Sequence, residues 1–144
     1  MTYAILDSNV ILTLLDGRAG AEAARSWLDG ERGPLATTPQ VLREVLAVST
    51  RPRDRNGLGH SHERAVGNVG AVSRRLKLLP DTAAVASRLR ALVAEGRAAG
   101  NQIHDANIVA SALVHDAERI VTANVKHFAR FADLIEIVPL AERV

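Results

Sequence analysis

The sequence predicts an α/β domain built on a central, mostly parallel β-sheet. Two observations lead there. Short apolar runs alternate along the chain with longer segments of helical period, the pattern of strand–helix–strand units. The chain also has 144 residues, the usual size of one domain, and shows no internal repeat or low-complexity stretch that would mark a second one. We therefore read residues 1–144 as a single domain.

Each element has its own signal. Tyr3 to Leu6 reads as a short buried strand, followed after Asp7 by a helix over Asn9 to Leu15. Asp16 to Gly20 is a break. Ala21 to Asp29 is helical, with Ala24, Trp27 and Leu28 at helical spacing, so Trp27 is expected in the core or an interface. Gly30 to Pro34 forms a turn, and Pro34 to Thr38 a second strand. Thr38 is placed to cap a helix with Pro39 at its first position, running through Gln40 to Val48. Arg51 to Gly59, "RPRDRNGLG", is a basic loop. His62 to Lys77 reads as helix, although Gly67 and Gly70 weaken it.

The second half continues the alternation. Asp81 to Glu95 is a helix with Val85, Leu89, Leu92 and Val93 on one face. Ala98 to Gln102 is a break, and His104 to His115 another helix. Arg119 to Thr122 is a strand, Lys126 to Phe131 a short helix, and Leu134 to Val138 a last strand. In open parallel sheets, ligands bind at the carboxyl ends of the strands. Asp7 follows the first strand and Thr122 closes a later one, so both are expected on one edge.

Composition narrows the function. Apolar residues make up 47% of the chain and charged residues 24%, a globular balance. Aromatic residues are only 3%, which argues against a base-stacking platform. Cysteine is absent, so disulfides and thiolate metal sites are excluded. The chain opens almost at once on a strand-like run without a basic region before it, and that run is too short to cross a bilayer. A cytoplasmic protein without a membrane partner is expected. The net charge of +2 is compatible with a polyanionic partner but does not demand one.

Three acids carry the chemistry. Asp7, Glu44 and Asp105 each sit inside apolar sequence. An isolated buried carboxylate costs several kcal/mol or takes up a proton. Three that converge repel one another unless a cation lies between them. Oxygen ligands without His or Cys clusters suit Mg²⁺ or Mn²⁺. Simpler roles stand beside this one. Asp7 could cap the following helix. Glu44 could face solvent and pair with Arg43 or Arg51. Asp105 could be a helix N-cap after His104.

Four segments, "ILDSNVIL", "PQVLREVL", "IHDANIVASAL" and "IVTANVKHF", stand in that order along the chain. Together they resemble the signature segments of the PIN-domain family, most closely its VapC-type toxins from bacterial toxin–antitoxin pairs. The resemblance spans Tyr3 to about Val138. It implies a three-layer α/β/α sandwich with four to five strands, and metal-dependent RNA cleavage. Asp7, Glu44 and Asp105 match the family's three acids and would be the catalytic metal ligands, direct or through water. Asn9 matches the polar residue that supports the first acid. Thr122 matches the small hydroxyl residue closing the later strand. The fourth position departs from the pattern. Many relatives carry an Asp two residues after the threonine, and some an acid just before the phenylalanine. Here those places hold Asn124 and His127, so the resemblance implies one protein-held ion, with Asn124 in a supporting place.

The remaining candidates are cationic. Arg51, Arg53 and Arg55 could hold RNA phosphates, as could His127 near the expected site. Arg74 and Arg75 are weaker candidates for the same role, and phosphate contacts of this kind position without reading sequence. His60 and His62 are expected on the surface, His104 in a structural role, and His115 at a helix end. The resemblance further implies an RNA substrate such as tRNA or ribosomal RNA, a cognate VapB-type antitoxin and a homodimer. The competing reading is a PIN-like module that binds RNA or protein without cutting, for which Asn124 is the best support. Haloacid-type phosphatases need an Asp where Asn9 stands, and response-regulator receivers need an acidic pair that Asp7 lacks.

Overall fold

The computed structural model describes residues 3–16, 21–31 and 33–140. Five parallel strands form one sheet, in the order β3-β2-β1-β4-β5, within a three-layer α/β/α sandwich. Strand β1 (Ala4–Leu6) lies at the centre, between β2 (Leu35–Thr37) and β4 (Arg119–Thr122). All three residues of β1 are buried, as expected of a strand covered on both faces. The chain runs outward from β1 to β2 and β3, then crosses to β4 and β5. That reversal opens a crevice between the carboxyl ends of β1 and β4.

The first crossover contains α1 (Ser8–Asp16) and α2 (Ala21–Gly30). Trp27 of α2 is buried, and the Arg119 guanidinium lies 5.9 Å from its ring centre. Most of the break expected over Asp16 to Gly20 lies outside the described residues. Helix α3 (Pro39–Thr50) starts where its sequence says it should: Pro39 is at its first position and Thr38 Oγ1 accepts from the Val41 amide at 3.2 Å. Ser61 caps α4 (His62–Ser73) and Thr82 caps α5 (Ala83–Ala94) in the same way.

Three expectations need correcting. The helix after His62 stops at Ser73 instead of reaching Lys77. Lys77–Leu78 forms β3, paired with Ala36 and Thr37 at the sheet edge. Both its residues are exposed, so a two-residue edge strand leaves no alternation to read. The basic loop, by contrast, is a loop as expected, with one 3₁₀ turn at Arg53–Arg55. Val93 is exposed, although Val85 and Leu92 of the same helix are buried. His60 is also buried, and its Nδ1 has no hydrogen-bond partner among the described residues. Burial, then the charges of Arg64 and Arg53, hold its pKa below the ordinary histidine value.

Helix α6 (Gln102–Val114) buries a continuous run, Ile108 to Ala112. Its C-cap is His115, whose Nε2 lies 2.8 Å from the Pro80 carbonyl oxygen. After β4 come α7 (Val125–Phe128), a 3₁₀ turn at Ala129–Phe131 and β5 (Glu136–Pro139). Phe128 and Phe131 are wholly buried and anchor this segment beside the crevice. Arg97 grips Asp133 through two bonds of 2.8 Å, which ties the connection after α5 to the same segment. Among the described residues, no helix is long and apolar enough to cross a membrane.

Candidate active site

The crevice is organised around Asp7. Its backbone extends the central strand, with Asp7 N donating to Val121 O at 3.0 Å. The side chain is nearly buried, at 6% exposure. Its Oδ1 accepts from Ser8 N at 2.8 Å. Its Oδ2 accepts from Thr122 Oγ1 at 2.9 Å and from Asn9 Nδ2 at 3.3 Å. Val10 N also donates to Asp7 O at 3.1 Å, so Asp7 stands at the head of α1 as a capping residue would. Capping and a place in the crevice are therefore one arrangement, and not alternatives.

Asn9, from the first turn of α1, and Thr122, from the end of β4, clasp this carboxylate. Asn9 Nδ2 reaches Asp7 and Thr122 Oγ1, both at 3.3 Å, while its Oδ1 accepts from Ala123 N at 3.0 Å. Thr122 Oγ1 donates to Asp7 and accepts from Asn124 N at 3.0 Å. Asn124 is thus joined to the network through its backbone, while the residue as a whole is exposed at the start of α7.

Glu44 and Asp105 face the same space from α3 and α6. Burial pushes the Asp7 pKa up; the bonds from Ser8 and Thr122 pull it down, and the charges of Glu44 and Asp105 raise it again. Burial likewise raises Asp105. The His127 charge opposes that shift, Glu44 adds to it, and Arg130 and His104 oppose it. Asp7 feels both other acids and Asp105 feels Glu44, so three residues far apart in sequence are linked electrostatically. Among the described residues, however, no group of three or more His, Cys, Asp or Glu side chains is placed to hold a metal ion. The side chains that face the crevice are carboxylates, a chemistry that suits a hard divalent cation keeping much of its water.

The cationic candidates divide. His127 is exposed on α7 and lies within electrostatic reach of Asp105. The Arg51–Arg55 loop lies elsewhere. Arg53 is 3.8 Å from Asp16, at the opposite end of α1 from Asp7. Helix α1 has nine residues, a separation of about 12 Å along its axis. Arg74 and Arg75 are exposed beyond the end of α4.

Three residues of this neighbourhood escaped the sequence reading: Gln40, Asn107 and Arg130. Gln40 is buried one turn before Glu44, and its Nε2 donates to Glu44 Oε1 at 3.1 Å. The i, i+4 spacing was a usable signal. Its bonds to α6 had no local signature. Arg130 lies on the 3₁₀ turn after α7, where only the fold brings it towards Asp105.

Comparison with solved structures supports the fold. The chain is similar to VapBC from Salmonella typhimurium bound to DNA, with 23% identity over 98% of this chain and 100% of that one, at a TM-score of 0.68. VapBC-1 of nontypeable Haemophilus influenzae gives 21% identity, 96% and 98% coverage, and a TM-score of 0.68. VapC20 of Mycobacterium tuberculosis, described as a sarcin–ricin loop cleaving toxin, gives 15%, 81% and 86%, and 0.63. No curated protein matches the chain by sequence. The family model described as PIN domain matches residues 4–134, which takes in every acid of the crevice, and the chain belongs to the PIN-domain family.

Proposed function

We propose that this chain is the toxin of a VapBC-type toxin–antitoxin pair and acts as a metal-dependent endoribonuclease. One observation carries the reading. Asp7, Glu44 and Asp105 are linked electrostatically at the carboxyl edge of a PIN fold. A scaffold with no ion to bind has no use for three mutually repelling carboxylates.

Asp7, Glu44 and Asp105 would hold Mg²⁺, with Mn²⁺ as a substitute, in part through water. When bound, such an ion lowers the pKa of a coordinated water and neutralises phosphate charge. The protein's own share is positional. Thr122 and Asn9 fix the Asp7 carboxylate. His127 and the Arg130 guanidinium lie within electrostatic reach of Asp105 and would draw the RNA backbone into the crevice. Structured RNA, tRNA or ribosomal RNA, is the proposed substrate class. A cognate VapB-type antitoxin, a homodimer and a cytoplasmic setting belong to the same proposal; several of the similar structures are toxin–antitoxin complexes.

A second reading, an RNA- or protein-binding module that does not cut, draws on the neutral, exposed Asn124. Induced expression in a bacterial host, beside Asp7→Ala, separates the two. The toxin reading predicts growth arrest with new RNA ends, both lost in Asp7→Ala. Arrest of equal depth in Asp7→Ala without new RNA ends would favour the binding module.

A further inference from the structure

We propose that Gln40 is a positioning residue of this site, whose buried amide fixes the Glu44 carboxylate against the first turn of α6 and so sets the spacing between the second and third acids. The inference rests on the nuclease reading above.

The amide is fully used. Nε2 donates to Glu44 Oε1 at 3.1 Å and to the backbone carbonyl of His104 at 2.8 Å. Oε1 accepts from Asn107 Nδ2 at 3.0 Å. Its orientation is unambiguous, because an ionised carboxylate and a carbonyl can only accept. A flipped amide would set oxygen against both. Gln40 is 5% exposed while its partners are partly exposed, so the amide itself is shielded from water and an unmade bond on it would be expensive.

The partners are also placed for a purpose. His104 and Asn107 bracket Asp105 in the first turns of α6. Glu44 lies one turn along α3 from Gln40. One side chain therefore links the helix of the second acid to the stretch that carries the third. Glu44 is repelled by both other acids, and without this tether it would turn outward. Packing alone does not call for an amide here, since a Leu or Met would fill the α3–α6 contact without polar groups to satisfy.

The test is Mn²⁺ affinity, measured by electron paramagnetic resonance on the full chain, beside thermal stability. The variants are Gln40→Met, Asn107→Ala and Val45→Ala; Val45 is a fully buried neighbour on α3 and serves as the packing control. Gln40→Met is expected to weaken Mn²⁺ binding by about tenfold, the usual effect of removing a partner of a metal ligand. Asn107→Ala, which frees the amide to turn, is expected to lose about threefold, and it carries the test if Gln40→Met does not fold. Val45→Ala should lose stability while keeping Mn²⁺ affinity within about twofold. Wild-type affinity in both Gln40→Met and Asn107→Ala would overturn the inference. So would a loss in Val45→Ala equal to that in Gln40→Met, since the effect would then be packing. If the wild-type chain binds no Mn²⁺, the metal reading itself fails and the inference falls with it.

Discussion

The Thr122 hydroxyl donates to Asp7 Oδ2 across 2.9 Å, joining two residues 115 positions apart in sequence. The same oxygen accepts from Asn124 N, so one side chain fixes both the first acid and the entry to α7. Thr122→Val keeps the shape and removes these bonds. A hydrogen bond to a charged group is worth about 1.5–3 kcal/mol, so a stability loss of that order is expected in denaturant titration. Cleavage should fall with it, because Asp7 loses its orientation. Unchanged stability and cleavage in Thr122→Val would show that the bond is dispensable.

The acids make stability depend on pH and on metal. Burial and mutual repulsion raise the pKa of Asp7 and Asp105 in the folded chain. A raised carboxyl pKa means that the folded state binds more protons than the unfolded state between the two values, so stability falls as pH rises through that window. The metal-free chain should therefore melt higher just above the ordinary carboxylate range than at neutral pH. Asp7→Asn should flatten that slope, and added Mn²⁺ should raise the melting temperature of wild type at neutral pH. Melting curves from pH 5 to about 8, with and without metal, test both statements.

His127 and Arg130, within electrostatic reach of Asp105, should matter more for RNA than the arginine loop at the far end of α1. Binding is best measured in the uncleaving Asp7→Ala background. Removing His127 and Arg130 together should weaken binding and lower the salt slope by about one to two contacts, at roughly 0.7 per single-stranded phosphate. Replacing Arg51, Arg53 and Arg55 together should change less. A larger loss from the loop would relocate the RNA path.

Gly57 should resist substitution. A Cβ there would lie 1.9 Å from the Arg51 carbonyl oxygen, a clash with backbone that no side-chain motion relieves. Gly57→Ala should destabilise the chain by about 1–3 kcal/mol through displacement of the loop. Gly67→Ala, with open space around its Cβ and a helical setting, should stabilise by about 0.5–1 kcal/mol. Thermal melts of the two variants give the comparison directly.

The alternation of strands and helices was legible because each central strand is short, apolar and bounded by clear turns, as at Ala4–Leu6. The cap at Thr38 follows from local chemistry. The edge strand Lys77–Leu78 was not legible, since two exposed residues leave no pattern. Asp7, Glu44 and Asp105 stood out as acids in apolar sequence, and the order of the four segments named the family. Gln40 and Arg130 did not stand out, because their roles depend on which helices the sheet brings together. His60 misled for the same reason: nothing local to "GHSHE" says that Leu58 and His60 are folded inward.

The most direct test of the central claim is cleavage of total cellular RNA by the purified chain with Mg²⁺, with Mn²⁺ and with EDTA, beside Asp7→Asn. We predict discrete cuts with either metal, none with EDTA, and a loss of at least about a hundredfold in Asp7→Asn. Cuts that persist in EDTA, or equal cleavage by Asp7→Asn, would contradict the account.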